Sequence, residues 1–267
     1  MSQTVHTYLQ QRQNEPEQDC GDEESDFALT QLPDDIPVYR YQSLPQLAAI
    51  AYTVDNESGY CVFLGVPQSD ISEKREAITF KSITFYPRYN VLIGKMPRRY
   101  HEAAINWLHG ELVVKVEQMG MRFILQLKSV GASLIANREP DYCIRPKSLP
   151  HGRPMTWPSL VVTTESQEIL RDDPYWWTQQ SNHDVKVVIT ITVSRTKITI
   201  KRWDEQALLK EDIAVERYRQ QPVMVMGHPL RIPFQDLFLR DPIGYQGDLL
   251  FGEYDLKEWA ESIWQEF

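Results

Sequence analysis

Two runs in the second half of the chain, Asp184–Val193 (DVKVVITITV) and Lys197–Trp203 (KITIKRW), are dense in β-branched residues and lie three residues apart. That spacing predicts a hairpin across Ser194–Thr196, so the chain must supply a sheet for it to join. Ser159–Thr164 (SLVVTT) reads as a buried strand, and Met121–Lys128 (MRFILQLK) and Ala132–Ala136 as short ones. Ile78–Ile93 (ITFKSITFYPRYNVLI) is β-rich around a Pro-containing turn at Tyr86–Asn90. Helical periodicity occupies 98–119, where Tyr100, Ala103, Ala104, Trp107, Leu108 and Leu112 form an apolar stripe that Gly120 ends. A second helix is expected over 166–180, with Pro174 in its first turn or breaking it. Helix, three strands, helix, strand and one more strand make an α/β (α+β) protein, a mixed central sheet flanked by helices.

With 267 residues, 42% of them apolar, the chain can bury a sizeable core. No apolar run approaches the roughly 20 residues of a membrane span, so no membrane partner is expected. The N-terminus has neither a basic n-region nor an apolar h-region, so no secretory signal is expected. Cys20, Cys61 and Cys143 are odd in number and scattered, which favours a reducing, intracellular setting, cytoplasmic or nuclear. The net charge of -9 is unevenly laid out. Residues 1–35 carry net -8, 36–203 net +6 and 204–267 net -7. Residues 1–35 read as a disordered acidic tail, and 36–267 as a single domain with its core at about 85–203 and an accessory segment at 204–267. A basic block between acidic flanks suits a polyanion such as DNA or RNA, and equally an ordinary solvated surface.

Phosphate-loop, dinucleotide, HExxH and GxSxG motifs are absent, and the six histidines show no metal-ligand spacing. One constellation stands out: Glu102 near a helix start, Asp141 after Pro140, a strand ending in Thr163–Thr164–Glu165, and Lys186 on the next strand. Carboxylates and a lysine around one sheet edge suit a hard divalent ion, Mg²⁺ or Mn²⁺, with the lysine orienting the attacking water. Each also has a plainer structural reading. Asp141 caps a turn; Glu102 answers the helix dipole; Glu165 lies in the cap region of the next helix; Lys186 is a solvated lysine at a strand start.

The stretches LIGKMPRRYHEAAINWL, KSVGASLIANREPDYCIRP, GRPMTWPSLVVTTES and DDPYWWTQQSNHDVKVVITITVSRTKITIKRWDE resemble a group of mostly uncharacterised fungal proteins of the PD-(D/E)xK nuclease-like superfamily. The resemblance runs from about Phe85 to Trp203, and more weakly through FQDLFLRDP and the closing tryptophan-bearing helix. It implies a restriction-endonuclease-like core, with Pro-Asp on one strand and (Asp/Glu)-x-Lys on the next around a metal. Asp141 then matches the metal-ligating aspartate, and Glu102 a helix-borne acid that assists it. The second half departs from the pattern: where relatives read V-(V/I)-E-V-G-x-S-E-S, this chain has Val161–Val162–Thr163–Thr164–Glu165–Ser166. Thr163 stands where the acid belongs, Glu165 is a replacement candidate, and Lys186 is a candidate migrated lysine. Arg98, Arg99, Arg145, Lys147 and Arg153 flank the expected site as nucleic-acid contacts. The expectation is therefore a weakened or inactive Mg²⁺-dependent phosphodiesterase acting on nucleic acid. The alternative is a non-catalytic module that keeps the fold to bind nucleic acid or protein.

Overall fold

The computed structural model describes Tyr8 and residues 36–53, 59–74, 77–78, 80, 82–96, 98–130, 135–150, 157–164, 172–218 and 221–267. The expected acidic tail, apart from Tyr8, lies outside the described residues. The expectation put 36–267 together, whereas Cα packing divides the chain into two compact units. One runs to Pro97 and takes in Leu134–Glu139; the other comprises Arg98–Ser133 and Pro140–Phe267.

In the first unit, β1 (Val38–Arg40), β2 (Tyr60–Leu64), β3 (Ser82–Tyr86) and β4 (Val91–Lys95) form one sheet in the order β1-β2-β4-β3. Helices α1 (Leu44–Thr53) and α2 (Gln68–Glu73) accompany it. The expected β-rich segment is the β3–β4 pair, and its turn closes with Asn90 in the left-handed region at φ 52°. Leu47, Phe63, Ile83, Phe85 and Leu92 are fully buried in this unit's own core. Cys61 on β2 is a buried free thiol, which burial pushes up to about 12.

The second unit carries α3 (Arg99–Gln118), α4 (Phe123–Gln126), β5 (Leu127–Ser129), β6 (Tyr142–Pro146), β7 (Leu160–Thr164), α5 (Asp173–Gln180), β8 (Val187–Val193) and β9 (Lys197–Trp203). It continues through β10 (Leu209–Glu216), β11 (Met224–Met226), β12 (Leu230–Ile232), α6 (Phe234–Phe238), β13 (Leu249–Phe251) and α7 (Glu253–Trp264). Its main sheet has the order β11-β10-β9-β8-β7-β6-β5. All neighbours are antiparallel except β7 and β8, which run parallel and are connected through α5, because no tight turn can join parallel neighbours. Ile189, Ile191, Ile198, Ile200, Ile213 and Val215 share one core with Leu108 and Leu112 of α3 and with Leu256 and Ile263 of α7. Trp259 of α7 stacks on Trp107 at 5.1 Å and donates its indole N–H to Ala104 O. The sheet is thus mixed and helix-flanked, as expected for an α+β protein.

Several expected boundaries move. Helix α3 ends as predicted: Gly120 takes φ 72°, and the N–H groups of Gly120 and Met121 return to Glu117 O and Val116 O. The predicted strand 121–128 is instead the helical turn α4 followed by β5, because the run FIL buries Phe123 while exposing Ile124 and Leu125. Of the predicted strand 132–136, Ile135 forms only an isolated bridge to Arg138, and 132–134 lie outside the described residues. The described part of the expected helix 166–180 is α5, with Pro174 in its first turn. The hairpin across Ser194–Thr196 forms with Val193 paired to Ile198. Its first strand begins at Val187, so Lys186 precedes it rather than lying on it. Among the described residues, no helix is long and apolar enough to cross a membrane.

Candidate functional site

Register brings the two halves of the expected motif together. Tyr142 of β6 pairs with Val162 of β7 in antiparallel fashion, and Asp141 lies one residue before that ladder, at the Thr163–Thr164 end of β7. Successive side chains leave opposite faces of a strand, and it is Thr164 that meets the aspartate. Asp141 Oδ2 accepts from Thr164 N at 2.6 Å and from Thr164 Oγ1 at 2.7 Å. His101, in the first turn of α3, stands behind the hydroxyl with Nδ1 at 2.9 Å from Oγ1. All three residues are buried. Thr163, where the motif would place its acid, projects to the other face; its Oγ1 is buried with no hydrogen-bond partner among the described residues.

Glu102 sits half-buried in the first turn of α3, one position past His101. Lys186 lies at the wrong end of the sheet. Its N–H bonds Ser159 O at the start of β7, whereas the β8 residue beside Thr164 is Ile191. Five residues at about 3.3 Å each separate Lys186 from that rung by roughly 16 Å. The arginines divide the same way. Arg98 and Arg99 lead into α3 and so lie at its His101 end. Arg145 is four residues, about 13 Å, down β6 from Asp141, and Lys147 follows beyond the strand. Glu165 and Arg153 lie outside the described residues.

The group Mg²⁺ would require does not fit these residues. Asp141 Oδ2 already takes two strong donors, both threonines at the end of β7 are neutral, and the lysine is remote. Among the described residues, no three His, Cys, Asp or Glu side chains form a set able to hold a metal. The sequence treated His101 as one of six unremarkable histidines. Its partner lies 63 positions away, so no local spacing could reveal the pair. Nearby, burial pushes the Tyr142 phenol up, and its hydroxyl lies 2.5 Å from His109 Nδ1.

A groove of about 350 Å³ opens on strands β8–β10, lined by Thr192, Ser194, Lys197, Thr199, Lys201 and Asp212. Its lysines are matched by acids, Lys197 to Glu216 at 2.9 Å and Lys201 to Asp212 at 3.8 Å. It therefore presents no uncompensated positive field. Comparison with family models, with curated proteins and with solved structures finds no match to this chain.

Proposed function

We propose that the protein is a catalytically silent PD-(D/E)xK nuclease-like scaffold, kept as a nucleic-acid-binding module. One observation carries the silence: Asp141 Oδ2 is engaged by both Thr164 N–H and O–H where a metal-bearing site would offer it to a cation. What supports the nuclease-like scaffold is the run α3, α4, β5, β6, β7, α5, β8, with Asp141 just before β6 and Thr163–Thr164 at the end of its neighbour β7. That adjacency is what Pro-Asp on one strand and (Asp/Glu)-x-Lys on the next would require. Loss of an anionic ligand weakens a hard-cation site strongly, since a hydroxyl offsets none of the charge. What supports nucleic acid as partner is the pair Arg98–Arg99 at the head of α3, within the central basic stretch.

The test is calorimetric titration with Mg²⁺ and Mn²⁺ beside plasmid- and RNA-cleavage assays on the wild type and Asp141→Ala. No cleavage in either protein is expected. Robust wild-type cleavage that Asp141→Ala abolishes would overturn the silent reading and restore the Mg²⁺-dependent phosphodiesterase, with Glu165 as its replacement acid.

A further inference from the structure

We propose that Thr164 and His101 take over the structural work of a cation, forming a directed hydrogen-bond lock that joins the start of β6, the end of β7 and the first turn of α3. The inference rests on the silent reading above and deepens it. An ionised carboxylate only accepts, so Thr164 donates to Asp141 Oδ2 twice, once from its N–H and once from its hydroxyl. A hydroxyl has a single hydrogen. With that hydrogen directed at Asp141, Thr164 Oγ1 has only lone pairs left for His101. The imidazole must then present a hydrogen on Nδ1, so neutral His101 is the Nδ1–H tautomer. The order of donation is fixed from end to end: His101 to Thr164, Thr164 to Asp141.

The lock also accounts for the choice of residues. Thr164 is fully buried, and His101 and Asp141 are each 7% exposed. A carboxylate this deep needs compensation from a cation or from strong donors. Here it has two donors from one residue on the adjacent strand, and the helix supplies the third member. A cation binding through Oδ2 would compete with both donors, and displacing them would leave Thr164 N–H buried without an acceptor.

Two measurements test the proposal in the full-length chain. The first is ¹⁵N NMR of histidine-labelled protein at alkaline pH, where the imidazole is neutral. A protonated Nδ1 and unprotonated Nε2 at His101 are expected, and the Nε2–H tautomer would overturn the lock. The second is thermal melting with and without Mn²⁺ for the wild type, Thr164→Ser, Thr164→Val and Asp141→Asn. Thr164→Ser keeps the hydroxyl and should melt within about 2 °C of the wild type, whereas Thr164→Val should fall by roughly 5–10 °C. Mn²⁺ should leave the wild type unmoved. A Mn²⁺-induced rise in the wild type that Asp141→Asn removes would overturn the proposal, as would a Thr164→Val protein that melts with the wild type. Cleavage activity alongside an intact Nδ1–H signature would defeat the silent reading alone. A silent protein with the Nε2–H tautomer would defeat the lock alone.

Discussion

Thr163 and Thr164 are chemically identical neighbours on β7, yet their hydroxyls have opposite fates. Thr164 holds Asp141, while Thr163 Oγ1 is buried with no partner among the described residues. Burying an unpaired hydroxyl costs about 1–3 kcal/mol, so its replacement by a methyl group of the same shape removes a penalty rather than an interaction. Thr163→Val should therefore be neutral or stabilise by up to about 1 kcal/mol in urea denaturation. Thr163→Glu tests the sequence-level assignment of the missing acid to this position. At 4% exposure on the face away from His101, a glutamate should cost at least about 3 kcal/mol and bring no Mn²⁺ affinity. Recovery of Mn²⁺ binding by this variant would return the acid position to residue 163. The alternation of a strand is legible in VVTT; which of two threonines faces a helix begun some 60 residues earlier is not.

At the scale of elements, two glycines separate local preference from tertiary fit. Gly110 lies exposed in the middle of α3, and an added Cβ would meet no atom within 4 Å. Gly110→Ala should stabilise by about 0.5–1 kcal/mol, the helix-propensity difference. Gly227 follows β11 at φ 79°, and a Cβ there would lie 2.2 Å from the Asp212 carbonyl oxygen on β10. Gly227→Ala should destabilise by more than about 2 kcal/mol, giving thermal melts shifted in opposite directions by the two substitutions. Elements whose signals are local were readable in the sequence: α3 with its glycine stop, the β8–β9 hairpin and the β3–β4 turn. Helix α4 was not, because Phe123–Gln126 is too short for a helical period to outweigh its resemblance to a strand. Lys186 misled for a related reason. Its sequence distance from Val187 is one residue, but its usefulness depends on which end of β8 faces Asp141, and the parallel register with β7 decides that.

Across the whole molecule, the uneven charge of the sequence is partly compensated by local ion pairs. Arg202 is held by Glu211, Lys210 by Asp204 at 2.8 Å, and Lys115 by Asp255 at 3.0 Å. A polyanion docked at the head of α3 would be read at Arg98 and Arg99. Each phosphate neutralised contributes about 0.7–0.9 to the slope of log affinity against log salt, so the double variant Arg98→Ala/Arg99→Ala should reduce that slope by about 1.5. Arg145→Ala/Lys147→Ala, at the other end of β6, should change it less. A flat salt dependence, or no binding of single-stranded DNA or RNA at low salt, would assign the scaffold to a protein partner instead. The two compact units also differ in a way that chemistry can address separately. Cys61 lies in the core of one and Cys143 in the sheet of the other, and burial pushes each thiol up to about 12. At pH 8 only roughly one in ten thousand of such thiols is the reactive thiolate, even before access is considered. Alkylation at Cys61 thus clocks the opening of the first unit and alkylation at Cys143 that of the second, so one chain carries a separate sulfur timer for each of its halves.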